Sequence, residues 1–95
     1  MQVNTFYGPI EVNEEIELTD KILPMIKIEH QAKIDSILFV IYPHYTIGNK
    51  APQLERVYIV NISSNYELEK TGKMQFTANT ISELNQKCSK IVLSA

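Results

Sequence analysis

The chain has 95 residues, of which 44% are hydrophobic and 21% are charged, and its formal net charge is −2. This length and composition are typical of one globular domain spanning residues 1–95, and they exclude a disordered tail or a low-complexity filament. The near-neutral charge and the single arginine, Arg56, argue against a nucleic-acid partner, because guanidinium groups are the preferred ligands of phosphates and base edges.

The lengths of the apolar runs and the cysteine content indicate the cellular compartment in which the protein is expected. The longest uninterrupted apolar run, Ile37–Tyr42, is far shorter than the roughly 20 residues of a membrane-spanning helix. The first residues carry neither the basic nor the apolar region of a signal peptide. Cys88 is the only cysteine, so no internal disulfide can form. We therefore expect a cytoplasmic domain with no membrane partner, and the abundance of Lys, Ile and Asn favours a bacterial or phage origin.

Residues 1–18 predict an N-terminal β-hairpin. A strand over 2–7 leads through a turn at Gly8–Pro9 into a strand over 10–18. Apolar and polar residues alternate along this second strand, which is the period of a half-buried strand. Only Glu14 breaks the alternation, and a β-bulge at Asn13–Glu14 or an exposed sheet edge would accommodate it.

The polar face of the second strand is acidic. Glu11, Glu15 and Glu17 are expected to project from one side of the strand, within a segment (1–20) that holds five acidic residues and no basic one. This face is either solvated, where its charge keeps a sheet edge from aggregating, or it docks a partner with a basic surface.

The next segment, 19–35, is ambiguous between strand and helix. Pro24 would break a helix that began at Thr19. Apolar and polar residues alternate from Ile26 to Ile34, and β-branched residues favour strands. We predict a strand over Met25–His30 and a polar turn over 31–35, with a short helix as the alternative.

Two apolar segments, Ser36–Tyr42 and Arg56–Ile62, form the centre of the predicted sheet. Continuously apolar strands are typical of positions covered on both faces, so we predict that these two strands are adjacent and antiparallel. A turn at Ser63–Asn65 follows. A further strand is then predicted over Lys73–Ala78, with Met74 and either Phe76 or its neighbours pointing inward.

The C-terminal segment predicts the clearest helix, over residues 81–90. Thr80 and Glu83 have the spacing of a capping box, in which each side chain satisfies a backbone N–H of the first turn. One apolar stripe follows at spacings of three and four residues: Ile81, Leu84, Cys88 and Ile91. A short strand over Ile91–Leu93 ends the chain. The predicted fold class is α+β, a small and mainly antiparallel sheet of about five to seven short strands with this helix packed on it.

No residue pattern indicates catalysis, a metal or a cofactor. His30, His44 and Cys88 are dispersed along the chain, without the short spacing of zinc ligands. Cys88 lies on the apolar stripe of the helix, where a free cysteine behaves as an inert buried side chain. Single glycines beside lysines lack the paired glycines of a phosphate-binding loop. We therefore expect no catalytic residue, no metal site and no cofactor.

The connection over 43–55, between the two central strands, is unusually long. Its 13 residues exceed the roughly two to five of common hairpin loops, and long loops are often functional. It carries side chains that suit a recognition surface: His44, Tyr45, Ile47 and Lys50. Two interpretations stay open, a recognition loop or two hairpin arms that extend the strands beyond the sheet.

These features favour a small non-catalytic protein-interaction module, such as an inhibitor, an adaptor or an immunity-type protein. Its partner would be another protein with a basic surface, bound by the 43–55 connection and by the acidic residues Glu11, Glu15 and Glu17. The alternative is a structural subunit that self-associates, for example as a homodimer, through strand edges. A third hypothesis is a small acid–base enzyme that uses His44 with Tyr45 or Glu55.

Overall fold

The fold is α+β, as the sequence predicts. The computed structural model describes residues 1–5, 8–44, 48, 51 and 53–94. These residues form eight strands, all paired antiparallel, three short α-helices and one 3-10 helix. The elements in chain order are β1 (Gln2–Thr5), β2 (Gly8–Glu11), β3 (Glu14–Glu17), α1 (Thr19–Ile22), the 3-10 helix (Leu23–Met25), α2 (Ile28–Gln31), β4 (Ile34–His44), β5 (Gln53–Ile62), β6 (Tyr66–Leu68), β7 (Gln75–Ala78), α3 (Ile81–Cys88) and β8 (Ile91–Leu93).

A four-stranded sheet in the order β3-β4-β5-β7 is the centre of the fold. Its two long inner strands, β4 and β5, are adjacent and antiparallel, which confirms the prediction made from the two apolar segments. Their pairing continues outward to His44 opposite Gln53. Both ends of the predicted 43–55 loop are therefore arms of a hairpin that extends β4 and β5. This agrees with the second of the two interpretations left open by the sequence. Tyr45, Ile47 and Lys50 lie outside the described residues.

Side chains alternate along β4 and β5, and each face of the central sheet has its own core. On one face Ile37, Val60 and Phe76 pack against the helices. The helices contribute Ile22, Leu84 and Cys88 to this first core, and Ile26, which directly follows the 3-10 helix, is buried with them. The opposite face carries the hairpin of β1 and β2, where Val3 and Val12 pack against three sheet residues, Val40, Val57 and Ile59.

The predicted continuous strand over 10–18 is wrong. The chain leaves the hairpin after β2 and enters the central sheet at β3, so its two halves pair with different partners, β1 and β4. The crossing occurs at Val12, which is buried in the second core and donates its N–H to the Met1 carbonyl at 2.8 Å. Strand periodicity continues through such a crossing, because it reports the burial of alternate residues and not the identity of the neighbouring strand.

The predicted strand over Met25–His30 is also wrong, and the short-helix alternative is correct. Helix α1 starts with N–H groups of Lys21 and Ile22 that donate to the Leu18 carbonyl at 3.1 and 2.9 Å. Pro24 follows α1 in the first turn of the 3-10 helix. Residues in the first turn do not donate an N–H to a helix carbonyl, so a proline, which lacks the N–H, is tolerated there. The apolar alternation misleads here because Ile28 is 85% exposed.

A second two-stranded sheet, formed by β6 and β8, follows the turn at residues 64–65. The sequence predicts β8 at its observed position, whereas β6 has only three residues, too few for the alternation of Tyr66, Glu67 and Leu68 to indicate a strand. Strand β7 is shorter than the predicted 73–78. Phe76 is buried as expected, but Met74 precedes β7 and is 40% exposed, so its predicted inward position is wrong.

Helix α3 begins at the predicted residue and ends two residues earlier than predicted, at Cys88. The Thr80 hydroxyl oxygen accepts a hydrogen bond from the Glu83 N–H at 3.1 Å. The Glu83 carboxylate accepts from the Asn79 N–H at 3.1 Å, one residue before the partner that a capping box requires. This hydrogen bond and the nearby Lys87 ammonium hold the pKa of Glu83 below its ordinary value.

We expect Thr80→Ala to lower the free energy of unfolding by about 0.5–2 kcal/mol, because the Glu83 N–H loses its hydrogen-bond acceptor. The matched control is Ser82→Ala, an exposed position of the same helical turn, which should change that free energy by less than about 0.5 kcal/mol. Urea denaturation of both variants measures the difference. Equal stabilities of the two variants would contradict a capping role for Thr80.

Candidate functional site

The helices cover only part of their face of the central sheet. The first core ends near the row in which Ala78 pairs with Tyr58. The same face carries Phe39 in this row and Ile41 beyond it on β4, because every second residue of a strand points to one side. We call this uncovered apolar area the open face and define it by five residues: Ile16, Phe39, Ile41, Leu54 and Tyr58.

The side chains of the open face are accessible although the sheet holds their backbone. Leu54 is 48% exposed and Ile16 is 39% exposed. In the part of the chain that the structure describes, Phe39 and Ile41 belong to neither core. The Tyr58 ring packs at the margin of the first core and lies 5.0 Å from the Phe39 ring, centroid to centroid. A tilted aromatic pair therefore forms the fixed centre of the open face.

Charged residues flank the open face on two sides. Ile41 pairs with Glu14 on β3 and with Arg56 on β5, so one row across the sheet reads acidic, apolar, basic. Both Glu14 and Arg56 are exposed. An apolar centre with a polar border and a nearby arginine is the usual anatomy of a protein-binding surface.

Strand β3 is an outer strand of the central sheet and carries three carboxylates, which we call the acidic edge: Glu14, Glu15 and Glu17. Glu17 has a local structural role, because its carboxylate accepts hydrogen bonds from the hydroxyl and the N–H of Thr19. These bonds lower the pKa of Glu17. Within the described residues, no hydrogen bond or ion pair engages the carboxylates of Glu14 and Glu15.

The predicted row of Glu11, Glu15 and Glu17 is not one face of one strand. Glu15 and Glu17 share a side of β3, whereas Glu11 lies in β2 on the separate hairpin sheet. The Glu11 carboxylate pairs with the N-terminal ammonium at 3.4 Å. The crossing at Val12 separates the two groups, so only Glu15 and Glu17 of the predicted row stay together on β3, while Glu14 lies on the other side of that strand with Ile16.

Of the predicted recognition residues in the 43–55 connection, the structure describes one. His44 is exposed at the end of β4, on the opposite side of the strand from Ile41. Its alternative role as an acid–base group requires a partner, and the ion pairs of the described ranges do not join His44 to Glu55. Tyr45, Ile47 and Lys50 are outside those ranges.

Sequence reasoning missed the open face because its members lie in segments that predict covered strands. One signal could have indicated it. The two predicted central strands, Ser36–Tyr42 and Arg56–Ile62, are apolar on both faces, whereas the one predicted helix has a single apolar stripe and could cover only a few of their positions. Part of one sheet face was therefore bound to stay uncovered.

Two other kinds of site, a metal centre and a membrane-spanning helix, are absent from the described part of the chain. It contains no group of three or more His, Cys, Asp and Glu side chains that could hold a metal ion. None of its helices has the length and apolar character needed to cross a membrane. Comparisons of the chain with protein-family models, with curated proteins and with solved structures gave no match.

Proposed function

We propose that this protein binds a partner protein through the open face, with the acidic edge beside it attracting a basic rim on the partner. The observation that carries this proposal is an uncovered apolar sheet face with the exposed carboxylate of Glu14 on it, on an edge strand that also carries Glu15 and Glu17 on its other side. Aromatic residues and arginine are enriched at protein interfaces, and Phe39, Tyr58 and Arg56 bring them to one surface. Burial of Leu54 and Ile16, the most exposed apolar members, would supply part of the binding free energy.

The charge distribution supports a basic partner. Residues 1–20 hold five acidic side chains and no basic one, and three of the five line β3. A row of like charges raises the local potential and speeds the association of an oppositely charged surface, most strongly at low salt. The proposal places the protein among small inhibitors, adaptors or immunity-type proteins. The free thiol of Cys88 is consistent with work in a reducing compartment such as the cytoplasm.

A second copy of the chain is the competing occupant, since the outer side of β3 could pair with another strand. Two observations disfavour it. Pairing β3 with β3 would place the carboxylates of two acidic edges opposite each other, which is destabilising. At the other edge of the sheet, the Lys87 ammonium donates a 2.7 Å hydrogen bond to the Thr77 carbonyl of β7 and so occupies an acceptor that an added strand would use.

Affinity capture with matched variants tests the proposal. The immobilised protein is compared with Leu54→Asp, which places a charge in the open face, and with Ile28→Asp, which changes a more exposed aliphatic residue on α2. We expect one protein of the source-organism lysate to be retained by the parent and by Ile28→Asp, and to be retained at least about tenfold less by Leu54→Asp. The double variant Glu14→Gln, Glu15→Gln should reduce the salt dependence of its association.

Two results would contradict the proposal. The first is equal recovery of every protein by the parent and by Leu54→Asp. The second is a dimer of the parent, seen by sedimentation velocity at micromolar concentration, that Leu54→Asp abolishes. The second result would assign the open face to a second copy of the chain.

A further inference from the structure

A cleft of about 510 Å³ lies on the other side of the molecule from the open face. The β1–β2 hairpin packs over β4 and β5 but leaves part of β5 and β7 uncovered. The cleft occupies this gap, with Ile10 of the hairpin on one wall and Thr71 on the other. Its volume falls within the roughly 300–1,000 Å³ of small-molecule sites.

The floor of the cleft is apolar and rigid. It consists of Val57 and Ile59 from β5, whose side chains point to the hairpin side of the sheet. Both side chains are at least nine-tenths buried in the second core, so their positions are fixed. Leu68 and Ile10 extend the apolar lining to the walls. An apolar ligand body placed here would be removed from contact with water, and no core residue would have to move.

The rim of the cleft is cationic. Lys73 and Lys87 both line it, and no Asp or Glu of the described residues does. The Lys87 ammonium is held in place by the Glu83 carboxylate at 3.1 Å and by the Thr77 carbonyl at 2.7 Å. An ammonium has three N–H donors, so these two contacts leave Lys87 one donor for a ligand.

The positive charge continues beyond this rim. A neighbouring cleft of about 460 Å³ shares Leu68, Thr71, Phe76 and Lys87 with the first, and it adds Lys70 and Lys90 with one acidic residue, Glu69. Four lysines therefore line the two adjoining clefts, against Glu69 and the Glu83 partner of Lys87. A neutral apolar ligand would use the floor alone, whereas an anion with an apolar body would use the floor and the rim together.

We propose that the cleft between the β1–β2 hairpin and β7 binds a small amphipathic anion, with its apolar body on Val57, Ile59 and Ile10 and its carboxylate between Lys73 and Lys87. This proposal is independent of protein binding at the open face, because the two sites lie on opposite sides of the central sheet and share no residue.

Titration of the ¹⁵N-labelled protein with three ten-carbon probes tests the proposal: decanoate, decanol and decyltrimethylammonium, each below its micelle concentration. Decanoate should shift the backbone amides of Ile10, Val57 and Ile59 in a saturable manner. Decanol should bind about tenfold more weakly because it lacks the charge-assisted contacts, and the cation more weakly still. Lys73→Met should lower decanoate affinity by about tenfold, whereas Lys21→Met, on α1 and outside the cleft, should leave it unchanged.

The amide spectrum of each variant also reports whether it folds, so a loss of binding is not confused with unfolding. Equal affinities for decanoate and decanol, or for Lys73→Met and Lys21→Met, would overturn recognition of the anion. Shifts confined to residues outside the cleft would overturn the site itself.

Discussion

Leu84→Ala is expected to lower the free energy of unfolding by about 2–5 kcal/mol, the range for removing a large buried aliphatic side chain. Leu84 is 0% exposed and joins α3 to the first core, where it packs among sheet and helix residues. The substitution loses the transfer free energy of the missing carbons and leaves a cavity that the surrounding strands cannot fill. Urea denaturation measures the change through the midpoint at a constant slope.

The matched control for this prediction is Leu93→Ala, the same chemical change at a side chain of β8 that is 69% exposed. It should change the free energy of unfolding by less than about 1 kcal/mol. If Leu84→Ala also changed the free energy of unfolding by less than about 1 kcal/mol, α3 would not contribute to the core. A large effect of Leu93→Ala would mean that β8 has an additional buried contact.

The elements that could be predicted are those whose signals are local or whose apolar runs are unambiguous. The α3 helix has a cap and a complete apolar stripe within eight residues, so its position follows from residues that lie next to one another. The β4 and β5 strands each contain a continuous apolar run, over 37–42 and 57–60, and a helix on the surface of a small domain would show a polar face within such a run.

The elements that were predicted wrongly have signals that several structures share. Alternation over 10–18 is correct for each half, but the change of partner at Val12 is decided by how the hairpin packs on the sheet. Alternation from Ile26 to Ile34 coincides with short helical turns, because helical turns bury Ile26 and His30 while Ile28 points to solvent. Helices of four residues draw their stability from packing, and propensity alone does not identify them.

The candidate site could be predicted in part. The acidic character of the N-terminal segment is visible in the sequence, and Glu15 and Glu17 do share a side of an edge strand. The open face could not be assigned, because Phe39 and Ile37 are equally apolar and only Ile37 lies beneath the helices. Whether an apolar strand residue becomes core or binding surface depends on the extent of the covering layer, which is a property of the whole fold.

The fold directly sets the chemical reactivity of the Cys88 thiol. It is 0% exposed in the first core, and burial raises the pKa of its thiol from 9.0 to about 11, although the nearby Lys33 ammonium acts in the opposite direction. Because the folded chain holds this proton more tightly than the unfolded chain, the thiol contributes stability that is fully present below pH 9 and is lost as the pH rises towards 11.

Native Cys88 should therefore react with a thiol reagent at least about 100-fold more slowly at pH 8 than the unfolded chain does. A thiol pKa of about 11 instead of 9.0 lowers the thiolate fraction at pH 8 by about that factor, and burial of the sulfur slows the reaction further. Labelling in buffer and in urea, followed by mass spectrometry, measures both rates. Since reagent access requires the core to open, Leu84→Ala should accelerate native labelling and Leu93→Ala should not. A native rate equal to the unfolded rate would place Cys88 at the surface and would contradict the packing of α3 described above.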